Sequence, residues 1–245
     1  MSLYPWTGTV LFNGASYSIT NLPLSYLPVL LGIQFSEAVW VLTTVGVVVS
    51  SIHFVEKRRL IELFALWFLI PLFAFIIFKI ALYDNFRQIL FIIPPIFLMA
   101  GVAFEKVKNI KWQTVLIVLC LIPNVLGIIR LHPYEYIYYN VFAGDTSKRF
   151  ENDYWATSYR EAAEYVNGAA SPNANIWVEG PAQLFAMFAR EDLKIYSSGE
   201  VERAEKYEYV VSTTRYDLHE KSFVDAKVIY EIKRGNTVLT VIKKH

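Results

Sequence analysis

The chain reads as an α-helical transmembrane bundle of about four spans followed by an external α/β domain, and three observations predict that class. Of its 245 residues 55% are hydrophobic and 16% aromatic, too apolar for an ordinary soluble domain. Charge is segregated: Leu22 to Ile129 carries few charged residues, kept in short clusters, and most of the others follow Arg130. Beyond Arg130 the long apolar runs give way to short strand-like and helical stretches in alternation. The expected organisation is therefore a membrane domain over 1–130 and an external α/β domain over 131–245.

A net charge of +1, with no basic run interleaved with aromatics, excludes a nucleic-acid partner. The single cysteine, Cys120, has no intrachain partner and sits in an apolar run, where it acts as a small hydrophobe. Met1 to Thr20 lacks the basic start, apolar core and small-residue cleavage site of a signal peptide. It is aromatic and polar, as expected of a chain that starts partway through a larger architecture.

A span needs about 20 mostly apolar residues, because helix formation pairs the backbone groups that hydrocarbon cannot. Ser36 to His53 is the first such run. Leu22 to Gln34 precedes it, and Pro23 and Pro28 predict a bent interfacial or re-entrant entry; whether the two make one bent span is open. Leu60 to Leu82 is the longest run, with Glu62 and Lys79 near its ends, where a long side chain reaches the headgroups. Gln88 to Phe104 follows, broken at Pro94-Pro95, and Trp112 to Ile129 is interrupted at Pro123-Asn124. Lys57, Arg58 and Arg59 fill one short loop and Lys106, Lys108 and Lys111 another, two spans apart, so both are expected to be cytoplasmic. The loop Tyr83 to Arg87, the N-terminal segment and everything after Arg130 are then external, in a multi-pass protein of the cell membrane.

In the external domain Ser158 and Glu161 form a capping-box pattern that opens a helix ending at Asn167-Gly168. Strands are predicted at Ile176 to Glu179, Leu193 to Ser197 and Tyr207 to Ser212, with a helix over Pro181 to Arg190. Two β-branched runs around Gly235-Asn236, within Lys227 to Ile242, predict a hairpin closing a partly parallel sheet.

Few residues carry chemistry. Arg87, beside Tyr83, Asp84 and Asn85, stands at the outer mouth of the bundle, where its fork of donors suits the phosphate of a lipid; the alternative is a headgroup anchor paired with Asp84. Tyr134, Glu135 and Tyr136 open an aromatic cluster running to Tyr139 that suits either sugar stacking or an interfacial belt, with Glu135 a lone candidate base. Glu151-Asn152-Asp153 resembles a metal-holding acidic pair but lies just before a helix, where such residues act as caps. His53, His132, His219 and His245 lack metal-ligand spacing, and no Walker, G-x-S-x-G or G-x-G-x-x-G pattern occurs.

Three segments, YPWTGTVLFNGASYSITNLPLSYLPV, YDNFRQILFIIPP and LHPYEYIYYNVFAGDTSKRFENDYWATSYREAAEYVN, resemble the C-terminal half of bacterial relatives of protein O-mannosyltransferases, glycosyltransferase family 39 of the GT-C type. They cover about a third of the chain. The resemblance implies an enzyme that moves a sugar from a polyprenyl-phosphate carrier to an acceptor at the outer face, with no nucleotide or metal required. It also implies a catalytic acidic residue in an earlier external loop, so no catalytic residue is assigned here and a separate N-terminal half is an expected partner. By position Arg87 matches the family's arginine before the Pro-Pro helix, which implies carrier binding, with Tyr83, Asp84 and Tyr134 to Tyr139 as secondary candidates. The competing readings are a non-catalytic membrane-anchored binding or scaffold module, and a transporter, which the scarcity of mid-span charge disfavours.

Overall fold

The computed structural model of the protein describes residues 8–52, 58–85, 87–197 and 207–244. Lys57, His53, Phe86 and the first seven residues of the N-terminal segment, all used in the sequence reading, lie outside the described residues. The chain divides into two compact units, Met1–Ile129 with Tyr138–Gly144, and Arg130–Ile137 with Asp145–His245.

The first unit begins with an antiparallel hairpin, β1 (Thr9–Phe12) and β2 (Ala15–Ser18). Asn13 and Gly14, at φ 50° and 84°, make its two-residue turn, the geometry that Asn-Gly favours. Helix α1 (Tyr26–Gln34) then meets α2 (Glu37–Ile52) at a bend of 106°, so the pair is either a broken span or a re-entrant loop. The bend strands the last carbonyls of α1, and Asn140 collects them: its Nδ2 donates to Gly32 O and Phe35 O, both at 2.8 Å, and its backbone N–H to Ile33 O at 2.7 Å. Glu37 in turn accepts the Val141 N–H at 2.9 Å.

Helix α3 (Arg58–Ile77) contains Pro71 and ends sooner than its apolar run predicts. Lys79 adopts φ 47°, and the Ile80 N–H bonds Phe75 O while the Lys79 N–H bonds Ile76 O, the paired bonds of a Schellman stop with lysine where glycine is usual. A 3-10 turn over Arg87–Ile92 leads to α4 (Pro94–Glu105), with the two prolines in its first turn. The expected break at Pro94-Pro95 is thus a helix start: those positions need no amide partner, and proline presets the helical φ. Helix α5 (Ile110–Leu131) carries Pro123 inside it and has no fully buried side chain.

Small residues bring α2 against α4. A Cβ on Gly46 would lie 2.0 Å from Met99 O, and Thr43 Oγ1 donates to Ile96 O at 3.1 Å. Later residues of α2 meet later residues of α4, so the two helices run parallel. Arg58 and Arg59, following α2, therefore stand at the same end as Lys106 and Lys108, following α4. By length and composition α3 and α5 can each cross a membrane, and a third crossing results if α1 and α2 count as one; α4 is apolar but shorter. Among the described residues two to three such helices are found, where about four were expected.

The second unit is a five-stranded mixed sheet ordered β4-β3-β5-β7-β6, from β3 (Asn175–Val178), β4 (Lys194–Tyr196), β5 (Tyr209–Thr213), β6 (Lys227–Arg234) and β7 (Thr237–Lys244). Strands β4, β3 and β5 are parallel and β7 and β6 close the sheet antiparallel, with Gly235 at φ 58° in the turn. Helix α6 (Tyr159–Ala169) covers one face, burying Tyr159, Ala162, Ala163 and Val166 against Ile176, Val178, Val211 and Leu239. The helix predicted over Pro181 to Arg190 shrinks to α7 (Ala182–Ala186), and a further short helix, α8 (Leu218–Lys221), follows β5. Trp177, Tyr207 and Val210 form a smaller core on the opposite face.

Candidate functional site

Where α3 stops, the chain turns through Tyr83-Asp84-Asn85 before re-entering an apolar helix. Asp84 and Asn85 are both buried and both at positive φ, 51° and 64°, a left-handed turn that Asp and Asn adopt more readily than other side chains. The turn presents Arg87. Its Nη2 lies 2.9 Å from Asp84 Oδ2, its guanidinium stacks 4.9 Å from the centre of the Tyr83 ring, and its side chain remains 39% exposed. The three residues singled out from sequence are thus one cluster: Asp84 and Tyr83 fix the fork and leave it accessible.

Next in the chain stands Gln88, a residue the sequence reading passed over. Both polar atoms of the Gln88 side chain are buried without a hydrogen-bond partner. An amide stranded this way costs free energy that a polar ligand or water would recover. A glutamine at the start of an apolar run carries no sequence signature of that state.

The other candidates have mostly structural duties. Tyr134 is buried in the core of the second unit, its ring 4.6 Å from the Arg234 guanidinium, which also pairs with Glu161. Burial, then the Glu161 charge, pushes its hydroxyl far above the usual phenol range, and a sealed ring offers no face to a sugar. Glu135 bonds His132 Nδ1 at 2.8 Å, and its own backbone N–H together with His132 holds its carboxyl below the ordinary range, the wrong direction for a general base.

Tyr136 is half-buried and donates its hydroxyl to Asp153, while its ring meets those of Tyr154 and Trp155 at 5.2 and 5.6 Å. Asp153 is buried. It accepts from Tyr136, from Ser158 Oγ and from the Thr157 N–H at 3.1 Å, serving the start of α6 from outside it. Burial raises its carboxyl above the usual range. The capping box expected from Ser158 and Glu161 does not form, because Ser158 Oγ turns to Asp153 and Thr240, and Glu161 pairs with Arg234. Among the described residues no group of three or more His, Cys, Asp or Glu could hold a metal ion.

Helices α2, α4 and α5 also enclose an open cavity of about 460 Å³. Val39, Leu42, Phe97, Phe104, Ile117 and Leu121 make its walls apolar. At one end lie Gln34 and Ser36, whose Oε1 and Oγ are buried without partners. Half-buried Cys120 also lines it. Such a volume, apolar with a few converging polar groups, suits part of an amphipathic molecule.

No family model matches the chain, and no curated protein or solved structure matches it.

Proposed function

We propose that this chain is the C-terminal part of an integral membrane glycosyltransferase that uses a polyprenyl-phosphate-linked sugar at the outer face, and that Arg87 holds the carrier phosphate. The observation that supports this reading is the turn at Asp84-Asn85, from which Arg87 presents an accessible guanidinium held by Asp84 and Tyr83. Guanidinium pairs with phosphate oxygens through parallel donors. Four crossings complete the proposal: α2, α3, α5, and α4 with the turn before it. The 12 residues of α4 rise about 18 Å and the six of the turn about 12 Å, together near the thickness of the hydrocarbon core. The basic end shared by α2 and α4 is then cytoplasmic, and the Arg87 turn, one crossing away, external.

The candidate carboxylates of the second unit favour a division of labour. Of the three singled out from sequence, Asp153 is buried among donors, Glu151 is buried beside Arg215, and the Glu135 carboxyl is lowered and so a weaker base, which supports assigning the base to another part of the enzyme. The same observation favours the second reading, a membrane-anchored module that binds without catalysing. Binding of undecaprenyl phosphate to the chain in nanodiscs, followed by phosphorus NMR, tests the role of Arg87. Arg87→Ala is expected to weaken binding about tenfold to a hundredfold, the worth of one charge-assisted contact, and Arg87→Lys less. Equal binding of the unphosphorylated polyprenol, or no change in Arg87→Ala, would contradict the proposal.

A further inference from the structure

We infer that the cavity between α2, α4 and α5 is a binding site for one acyl chain of a bilayer glycerolipid, taken up with its ester end toward Tyr138 and its tail toward Phe104. The three helices turn rows of side chains into one space. Helix α4 contributes Phe97, Ala100, Gly101 and Phe104, at the i, i+3, i+4, i+7 spacing that keeps a row on one face. Helix α5 contributes Ile117, Cys120, Leu121 and Asn124 at the same spacing, and α2 adds Val39 and Leu42 as the third wall. From Phe97 to Phe104, and from Ile117 to Asn124, each row rises about 10 Å, so the cavity is a slot that runs with the helices.

The slot exists because small residues, Ala100, Gly101 and Cys120, stand in the middle of the two rows. A Cβ on Gly101 would touch nothing within 4 Å, whereas one on Gly46, where α2 meets α4, would lie 2.0 Å from Met99 O. Helix α4 therefore packs closely on α2 and leaves α5 standing off. No side chain of α5 is fully buried, and at the slot Phe97, Ile117 and Leu121 remain 50%, 44% and 53% exposed, so the walls are open to a ligand. A volume of about 460 Å³ exceeds the voids that a packed interior keeps and falls within the roughly 300–1,000 Å³ of small-molecule sites.

The chemistry of the slot selects its occupant. None of the described residues lining it is charged, which disfavours a phosphate or ammonium group inside it. Its polar side chains gather at one end. Tyr138 rests there on Gly127 of α5, where a Cβ would lie 3.3 Å from the tyrosine ring, and Asn124 lies about one turn earlier on the same helix. The Asn124 Nδ2 donates to Cys120 O at 2.9 Å; its second proton and the Tyr138 hydroxyl suit a neutral acceptor such as an ester carbonyl. This end lies at the start of α2 and α4, opposite the basic residues that follow both helices. A bilayer lipid has the same polarity, with its ester at the boundary and its chain toward the middle. The proposal rests on these helices lying in the bilayer and needs neither the transferase reading nor Arg87.

The test releases the full chain from dioleoylphosphatidylcholine nanodiscs for native mass spectrometry. A single phospholipid is expected to stay with each chain at collision energies that strip the surrounding lipid. Gly101→Leu grows a side chain into the empty space, and Cys120→Leu fills it from α5; each should cut the retained fraction by about tenfold. Val118→Leu, on an exposed part of α5 outside the lining, should leave retention unchanged. The two filling variants lie on different helices, so one reads the site if the other folds poorly, as circular dichroism would show. A wild-type chain that retains no lipid, retention unchanged in both filling variants, or an equal loss in Val118→Leu would overturn the site. So would a dimer free of lipid, which would put a second copy of the chain in the slot. No carrier lipid is present, so these outcomes leave the Arg87 proposal untouched.

Discussion

Arg190 shows how a single side chain substitutes for a capping motif. Helix α6 leaves carbonyls unpaired at its end, and the Arg190 guanidinium reaches Asn167 O, Ala170 O and Ser171 O, steadied by Asp192 Oδ1 at 2.9 Å. The bond from Arg190, with the Asn173 N–H, lowers the Asp192 carboxyl to about 2. A carboxylate depressed in the folded state stabilises it above the unfolded pKa, and that contribution fades as pH falls through the folded one. Melting of the chain in detergent between pH 4 and 2 should therefore drop more steeply for wild type than for Asp192→Asn, and parallel curves would show that the carboxylate does not matter. Residue roles of this kind were only partly legible. Arg87, Asp84 and Tyr83 stood within five positions of one another, so their cluster followed from proximity. The burial of Tyr134 and the stranding of Gln88 depend on what distant segments bring, and neither is written locally.

At the level of elements, the α2–α4 contact is set by Gly46. Any Cβ there meets the Met99 carbonyl, so the helices approach only because the position is bare. Gly46→Leu is expected to destabilise the first unit by about 1–3 kcal/mol, as overpacking does, whereas Gly101→Leu, where a Cβ meets nothing within 4 Å, should cost less. Graded SDS unfolding of the two variants would check this, and equal losses would remove Gly46 from the contact. Strands were legible because alternation and turn residues are local: β3, β4, β5 and the β6–β7 hairpin fall within or beside the predicted stretches. The Asn13-Gly14 hairpin carried the same signal and was missed among polar neighbours. Helix ends were harder. Hydropathy continues to Leu82, but α3 stops at a Schellman turn centred on Lys79, and the prolines read as a break begin α4.

At the scale of the whole molecule, the division into an apolar helical unit and a mixed-sheet unit was expected from the distribution of charge. The exchange of Tyr138–Gly144 into the first unit was not, because it rests on Asn140 meeting the stranded carbonyls of α1, which pattern alone does not disclose. The central claim is that the first unit grips a lipid phosphate at the turn between α3 and α4. Photocrosslinking with a polyprenyl phosphate bearing its reactive group beside the phosphate, followed by peptide mapping, tests it most directly. The account predicts adducts concentrated between Tyr83 and Gln88 and lost in Arg87→Ala; adducts spread along the lipid-accessible faces of α3 and α5, unchanged in that variant, would contradict it.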